Sequence, residues 1–323
     1  MYPLKFQNIL KPTIWGGSKV TVFKSLPASV EPIGESWELS GVAGRESVVA
    51  EGPWAGRNIT ELVAEYKGAL VGSKVYERTG DEFPILVKFI DACDDLSIQV
   101  HPDDKLAFER HNGSKGKAEM WYVVQADEGA HLMSGMAKSI TPQEYIRHVE
   151  DNTITDVLCS YEVKEGDVFF LPAGRIHSIG KGCFIAEIQQ TSDIAYRIYD
   201  FGRIGFDGKP RQLHVQESMD AVDFSVQDDY CTPHATMLNQ PVSLVECDYF
   251  KTQLLELTDS YVVPVSRNDS FLIVICLEGE GSLKDSNGNM VTIRQGETVL
   301  LPASIESAEL IPSDRLKLLT CYI

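Results

Sequence analysis

Short apolar runs and alternating apolar–polar stretches, broken by turn residues, dominate this chain and predict strands; a helical period is confined to a few segments. Residues 1–57 are rich in glycine, proline and β-type runs, among them Lys19–Phe23 and Ser36–Ser40. Residues 59–76 have helical spacing, with Leu62, Val63 and Tyr66 on one side and Asn58 or Thr60 as the N-cap. Ile85–Ile90 and Leu96–His101 are two β runs separated by the acidic turn Asp91–Asp95. A short helix is expected over 103–110, with Pro102 suited to its start and Asp103 to an acidic first turn. Met120–Gln125 predicts a strand, and Thr141–Glu144 opens another helix with a capping-box pattern. Residues 155–190 are β-rich again, and a looser polar stretch after about residue 225 leads into an all-β C-terminal portion.

Gly166–His177 reads G-x5-P-x-G-x2-H and resembles the second signature motif of cupin barrels at every fixed position. Its glycines permit turns that a side chain would obstruct, its proline stiffens a corner, and its histidine is expected to point from a strand into the barrel. Further along, Gly296–Pro302 repeats the Gly166–Pro172 spacing, and Phe271–Gly281 parallels Glu119–Gly129. In this repeat the Gly174 and His177 positions fall on Ser304 and Ser307, and no histidine occurs from 240 to 323. The expected fold is therefore mainly β: two cupin (jelly-roll β-barrel) domains with a few short helices, and a metal site in the first barrel only. The expected boundaries are 1–235 for a catalytic cupin domain with helical segments and 236–323 for a degenerate, structural one.

Composition narrows the setting. The chain is 43% hydrophobic and 24% charged, and nothing in it approaches the run of roughly 18 apolar residues that a membrane helix needs. The N-terminal segment lacks the basic region and apolar run of a signal peptide, so a cytoplasmic location is expected. Seven cysteines, an odd number with none in C-x-x-C spacing, read as reduced thiols rather than a zinc–thiolate site. A formal charge of −18 argues against nucleic acid as a partner. It also means that an anionic ligand requires the few cations to be concentrated at one place.

Gln99 and His101 are two apart on a strand, so both side chains leave the same face. Glu119 begins the next barrel strand and His177 closes the signature motif, giving two imidazoles, one carboxylate and one amide oxygen. That donor set suits Zn²⁺, with Mn²⁺, Co²⁺ or Fe²⁺ as alternatives. His111, His131, His148, His214 and His234 stand outside any such pattern. Lys88 interrupts an apolar strand, Lys117 is two before Glu119, and Arg197 follows the signature region. Facing inward, Lys88 would indicate an anionic ligand; periodicity leaves both faces open.

Several stretches together resemble the type I mannose-6-phosphate isomerases in their shorter bacterial form. They are Ile14–Gly17, Gly34–Glu38, Val87–Asp91, Leu96–Asp103, Gly116–Met120, the cupin signature and Tyr196–Asp200. The resemblance implies a zinc-dependent aldose–ketose isomerase that interconverts D-mannose 6-phosphate and D-fructose 6-phosphate by proton transfer through an enediol. It puts the zinc ligands on Gln99, His101, Glu119 and His177. Catalytic positions fall on Arg197, Lys117 and Glu187, and substrate contacts on Ser97, with Lys88 and Asp193 as further pocket candidates. A small phosphosugar is the implied partner, with the protein a monomer or homodimer. The rival readings are an iron-dependent cupin oxygenase, since His101, Glu119 and His177 also make a two-His, one-carboxylate set, and a non-enzymatic sugar-binding cupin.

Overall fold

The computed structural model describes residues 1–323, and the molecule is mainly β, with two cupin barrels and a few short helices. The first barrel is built from two facing sheets. One has the strand order Ile9–Gly17, Ile33–Leu39, Ile85–Asp91, Cys183–Gln190, Glu119–Ala126, Val168–Leu171. The other runs Tyr196–Tyr199, Ile98–Val100, His177–Ile179, His131–Met136, Leu158–Glu162. A third sheet, formed by strands between Val242 and Tyr322, makes the second barrel.

The unbroken apolar runs of the first sheet follow from its burial on both faces. Val87, Phe89, Ala186 and Ile188 face outward into a core shared with the N-terminal helices and with Phe250, Phe271, Ile273 and Leu319 of the second barrel. The alternate residues Ile90, Trp121 and Ile185 fill the interior of the first barrel. Lys88 and Glu187, paired across neighbouring strands, lie in this inward set and so point into the lumen.

The second barrel keeps the framework of the first without its polar interior. Glu119 pairs with Leu171 in the first barrel, and Leu272 pairs with Leu301 in the second. The strand register thus sets Leu272 in the place of Glu119, one residue on from the Phe271 that sequence comparison aligns with it. The one-residue difference matters because it reverses which side chains face inward. Leu272, Val274, Cys276 and Val299 form an apolar interior where the first barrel carries ligands.

Two expected elements differ. Lys19–Phe23 is a helix rather than a β run. Its first backbone N–H, at Lys19, donates to the Asp91 carboxylate at 2.6 Å, and burial of Val20 and Phe23 with Val22 exposed follows a helical spacing. The helix expected over 59–76 is three pieces, Ile59–Tyr66, Gly68–Val71 and Ser73–Thr79. Lys67 and Gly72 break it with φ of 49° and 102°, and a Cβ on Gly72 would lie 1.9 Å from the Asp269 carbonyl oxygen of the second barrel. The break lets the two barrels approach. Elsewhere the caps are as expected at Asn58 and Thr141, while Asp103 is itself the N-cap of the helix Asp104–Arg110 rather than a first-turn residue. No helix is long and apolar enough to cross a membrane.

A buried ion pair within the first barrel, Lys24 Nζ to Glu38 Oε2 at 2.6 Å, also reaches the second, because Lys24 donates to the Gly296 carbonyl as well. Lys24→Ala strands the Glu38 carboxylate and is expected to cost about 3–5 kcal/mol in urea unfolding. The double change Lys24→Met/Glu38→Leu is expected to recover most of that loss; a recovery below half would rule out stranded charge as the cause.

Candidate metal centre and active site

Strand register builds the site as two facing rows. In the first sheet Trp37, Lys88, Glu187 and Trp121 lie opposite one another in successive strands. In the second sheet the row is Arg197, Gln99, His177 and Ser134. Side chains in one row leave the same face, so the rows meet across the lumen. A cavity of about 250 Å³ opens between them, lined by Lys88, Ser97, Gln99, His101, Lys117, Glu187, Asp193 and Arg197 among others. Glu119 and His177 form its buried floor beside His101, with one ligand atom from each lying within 4.8 Å of the others. All ten expected site residues are thereby brought to one place, with Asp193 the exposed one among them.

The proton arrangement tests whether a cation fits here. His101 Nδ1 donates to the Ile194 carbonyl and His177 Nδ1 to the Arg175 carbonyl, each at 2.8 Å. This leaves each Nε2 as a lone-pair acceptor. Those Nε2 atoms face the Glu119 carboxylate, His177 at 3.2 Å and His101 at 3.6 Å. Burial keeps both rings neutral, lowering His101 and pushing His177 down to about 3. Burial alone would raise the Glu119 carboxyl, but the Lys117 ammonium beside it holds it well below the usual range. His101 Nε2 and both Glu119 oxygens have no hydrogen-bond partner. Acceptors facing acceptors in a dry interior are costly unless a cation lies between them. The group can hold a metal ion. Gln99 Nε2 is 3.3 Å from His177 Nε2, and a half-turn of that amide presents its oxygen instead.

Beside this group stands a chain of charges. Lys117 Nζ is 2.7 Å from Glu119 Oε2, off the line of a hydrogen bond, and 3.6 Å from Glu187 Oε1. Lys88 Nζ donates to the same Glu187 oxygen at 3.0 Å, while Trp121 Nε1 donates to Glu187 Oε2 at 2.9 Å. The inward orientation of Lys88, which periodicity left open, is thus settled. Burial opposes its charge, yet Glu187, Glu35 and Asp193 outweigh burial and raise its pKa. Arg203 and Arg211 both pair with Asp200. Arg197 pairs with no carboxylate: it gives one N–H to the Gln212 carbonyl at 2.9 Å, and its buried Nε has no partner. Burial and the neighbouring Arg211 lower its pKa, as expected of a cation lacking its anion.

Sequence reasoning missed Trp15, Glu35 and Arg211 in the cavity wall. Trp15 and Glu35 fall inside stretches that carried the family resemblance, but nothing local marks their direction. Arg211 lies in a polar loop with no periodicity to read.

A mainly β cupin fold with a buried His–Glu–His cluster able to hold a metal ion defines the class, and comparison with known proteins makes the assignment specific. The family model for the phosphomannose isomerase type I catalytic domain matches residues 3–123, and that for the mannose-6-phosphate isomerase cupin domain matches 241–316. The chain is 33% identical over 303 residues to the mannose-6-phosphate isomerase ManA of Bacillus subtilis, covering 93% of each. It is 35% identical over 308 residues to the mannose-6-phosphate isomerase of Streptococcus mutans, covering 94% of each. The crystal structure of a Bacillus subtilis mannose 6-phosphate isomerase superposes along the whole of both chains with a TM-score of 0.90 at 28% identity. The chain belongs to the type I mannose-6-phosphate isomerase family, whose members are aldose–ketose isomerases.

Proposed function

We propose that this protein interconverts D-mannose 6-phosphate and D-fructose 6-phosphate, with Zn²⁺ held by Gln99, His101, Glu119 and His177. The observation that carries this reading is the buried Glu119 carboxylate facing two unprotonated imidazole nitrogens, with a lysine–glutamate pair immediately beside it. Two neutral imidazoles, a carboxylate and an amide oxygen suit zinc. When bound, the metal supplies Lewis-acid polarisation of the sugar oxygens.

The remaining chemistry falls to side chains. Aldose-to-ketose conversion moves the C2 proton to C1 and the O2 proton to O1, through an enediol. Glu187 takes the carbon proton and Lys117, in contact with it, moves the proton between the oxygens. Lys88 holds the Glu187 carboxylate in place, and Ser97 and Asp193 contact sugar hydroxyls from the wall and rim of the cavity. Arg197 contacts the developing oxyanion, because its guanidinium stays charged, lines the cavity and has no carboxylate partner. The apolar interior of the second barrel supports reading 1–235 as the catalytic unit and 236–323 as a metal-free partner.

Turnover in D₂O tests the proton route. Product fructose 6-phosphate is expected to carry solvent deuterium at C1, because a proton held on a side chain exchanges with water. Full retention of the substrate hydrogen over many turnovers would instead indicate hydride transfer, and would remove Glu187 and Lys117 from these roles.

A further inference from the structure

Lys117 lies on an irregular segment, yet its backbone is pinned on every side. Its own N–H donates to the Pro102 carbonyl at 3.1 Å. The Gly116 N–H donates to Asp104 Oδ1 at 2.8 Å, the Ala118 N–H to Gln190 Oε1 at 2.8 Å, and Ser192 Oγ to the Lys115 carbonyl at 2.9 Å. The same Gln190 gives its amide N–H to Asp104 Oδ1 at 3.1 Å, which closes the ring. Gly116 allows this approach: a Cβ there would lie 2.4 Å from the Asp103 carbonyl carbon.

The remaining Asp104 oxygen, Oδ2, accepts from Tyr249 Oη at 3.1 Å. Tyr249 comes from the turn between Val242–Glu246 and Lys251–Leu257, in the second barrel. Burial and the Asp104 carboxylate push its hydroxyl up to about 12, so it remains a donor. A continuous set of hydrogen bonds therefore leads from the second barrel, through Asp104 and Gln190, to the backbone N–H groups of both residues next to Lys117.

We propose that Tyr249, Asp104 and Gln190 are positioning residues that hold the Lys117 ammonium between Glu119 and Glu187, so that the second barrel tunes catalysis in the first. This rests on the role given to Lys117 above. The geometric demand is strict, since misplacing a reacting group by about 1 Å costs on the order of 100-fold in rate.

The test is a mutant cycle on the full-length, zinc-loaded protein, read by steady-state kinetics and by hydrogen exchange of residues 115–118. Asp104→Leu is expected to lower kcat about 10–100-fold and Tyr249→Phe about 3–10-fold, with KM within about twofold. Asp104→Asn, which keeps an acceptor for Gly116, is expected to restore most of the loss. In a Lys117→Met background both losses should vanish, because the residue they act through is gone. Equal fold-losses in both backgrounds, or a rise in KM with kcat intact, would overturn the proposal in favour of plain structural support. Exchange separates the two ideas. Unchanged exchange at 115–118 in Asp104→Leu would refute the network itself. Faster exchange with full kcat would refute the role of Lys117, and with it any catalytic consequence of the network.

Discussion

Replacing Glu119 with leucine is expected to release the metal and to lower turnover by about three orders of magnitude or more. The carboxylate is the one anionic donor in the cluster, and it stands within 3.6 Å of both imidazole Nε2 atoms. Without it two neutral rings and an amide remain, a set with little hold on a divalent ion. The several kcal/mol of charge stabilisation that a metal supplies would go with it, at roughly 1.4 kcal/mol per factor of ten. The fold should survive the change, because the second barrel already carries leucine at the equivalent register position, Leu272 opposite Leu301. Lys117 would still have Glu187 at 3.6 Å as a partner. Metal content by mass spectrometry, far-UV circular dichroism and kcat measured together check this. A folded variant with stoichiometric zinc and more than a tenth of the activity would mean that Glu119 is not a ligand.

The second large effect is expected at Arg197. Its register neighbour is Gln99 and the next strand carries His177, so it belongs to the same row as the proposed ligands. Unlike Arg203 and Arg211 it has no carboxylate, which leaves its guanidinium free for a charge that appears during the reaction. Arg197→Ala should lower kcat about 100–1000-fold, the range seen when one oxyanion donor is removed. Arg197→Lys should recover little, because an ammonium lacks the planar fork. Zinc content should be unchanged in both. A raised KM with intact kcat would assign Arg197 to the phosphate instead.

The sequence carried much of this, and the reasons are local. The signature stretch 166–177 fixes a turn, a corner and a strand within a dozen residues, so the position of His177 could be read directly. Gln99 and His101 were legible through their two-residue spacing alone. Lys88 was not, because a strand buried on both faces shows no alternation to say which way a lysine points; the facing Glu187 in the next strand decides it. Lys19–Phe23 failed for the opposite reason. Its residues have strand propensity, but the Asp91 carboxylate at its N-terminus and the burial of Val20 and Phe23 select a helix. The break at Gly72 and the bond from Tyr249 to Asp104 depend on where the second barrel docks, which no local pattern encodes.

The most direct measurement is a coupled assay of fructose 6-phosphate formation from mannose 6-phosphate on chelator-stripped protein, with and without added Zn²⁺. The expected result is no turnover without metal and full turnover once zinc is restored at one ion per chain. Folded protein that takes up zinc and still fails to convert the sugar, with any divalent metal, would contradict the isomerase assignment for this chain.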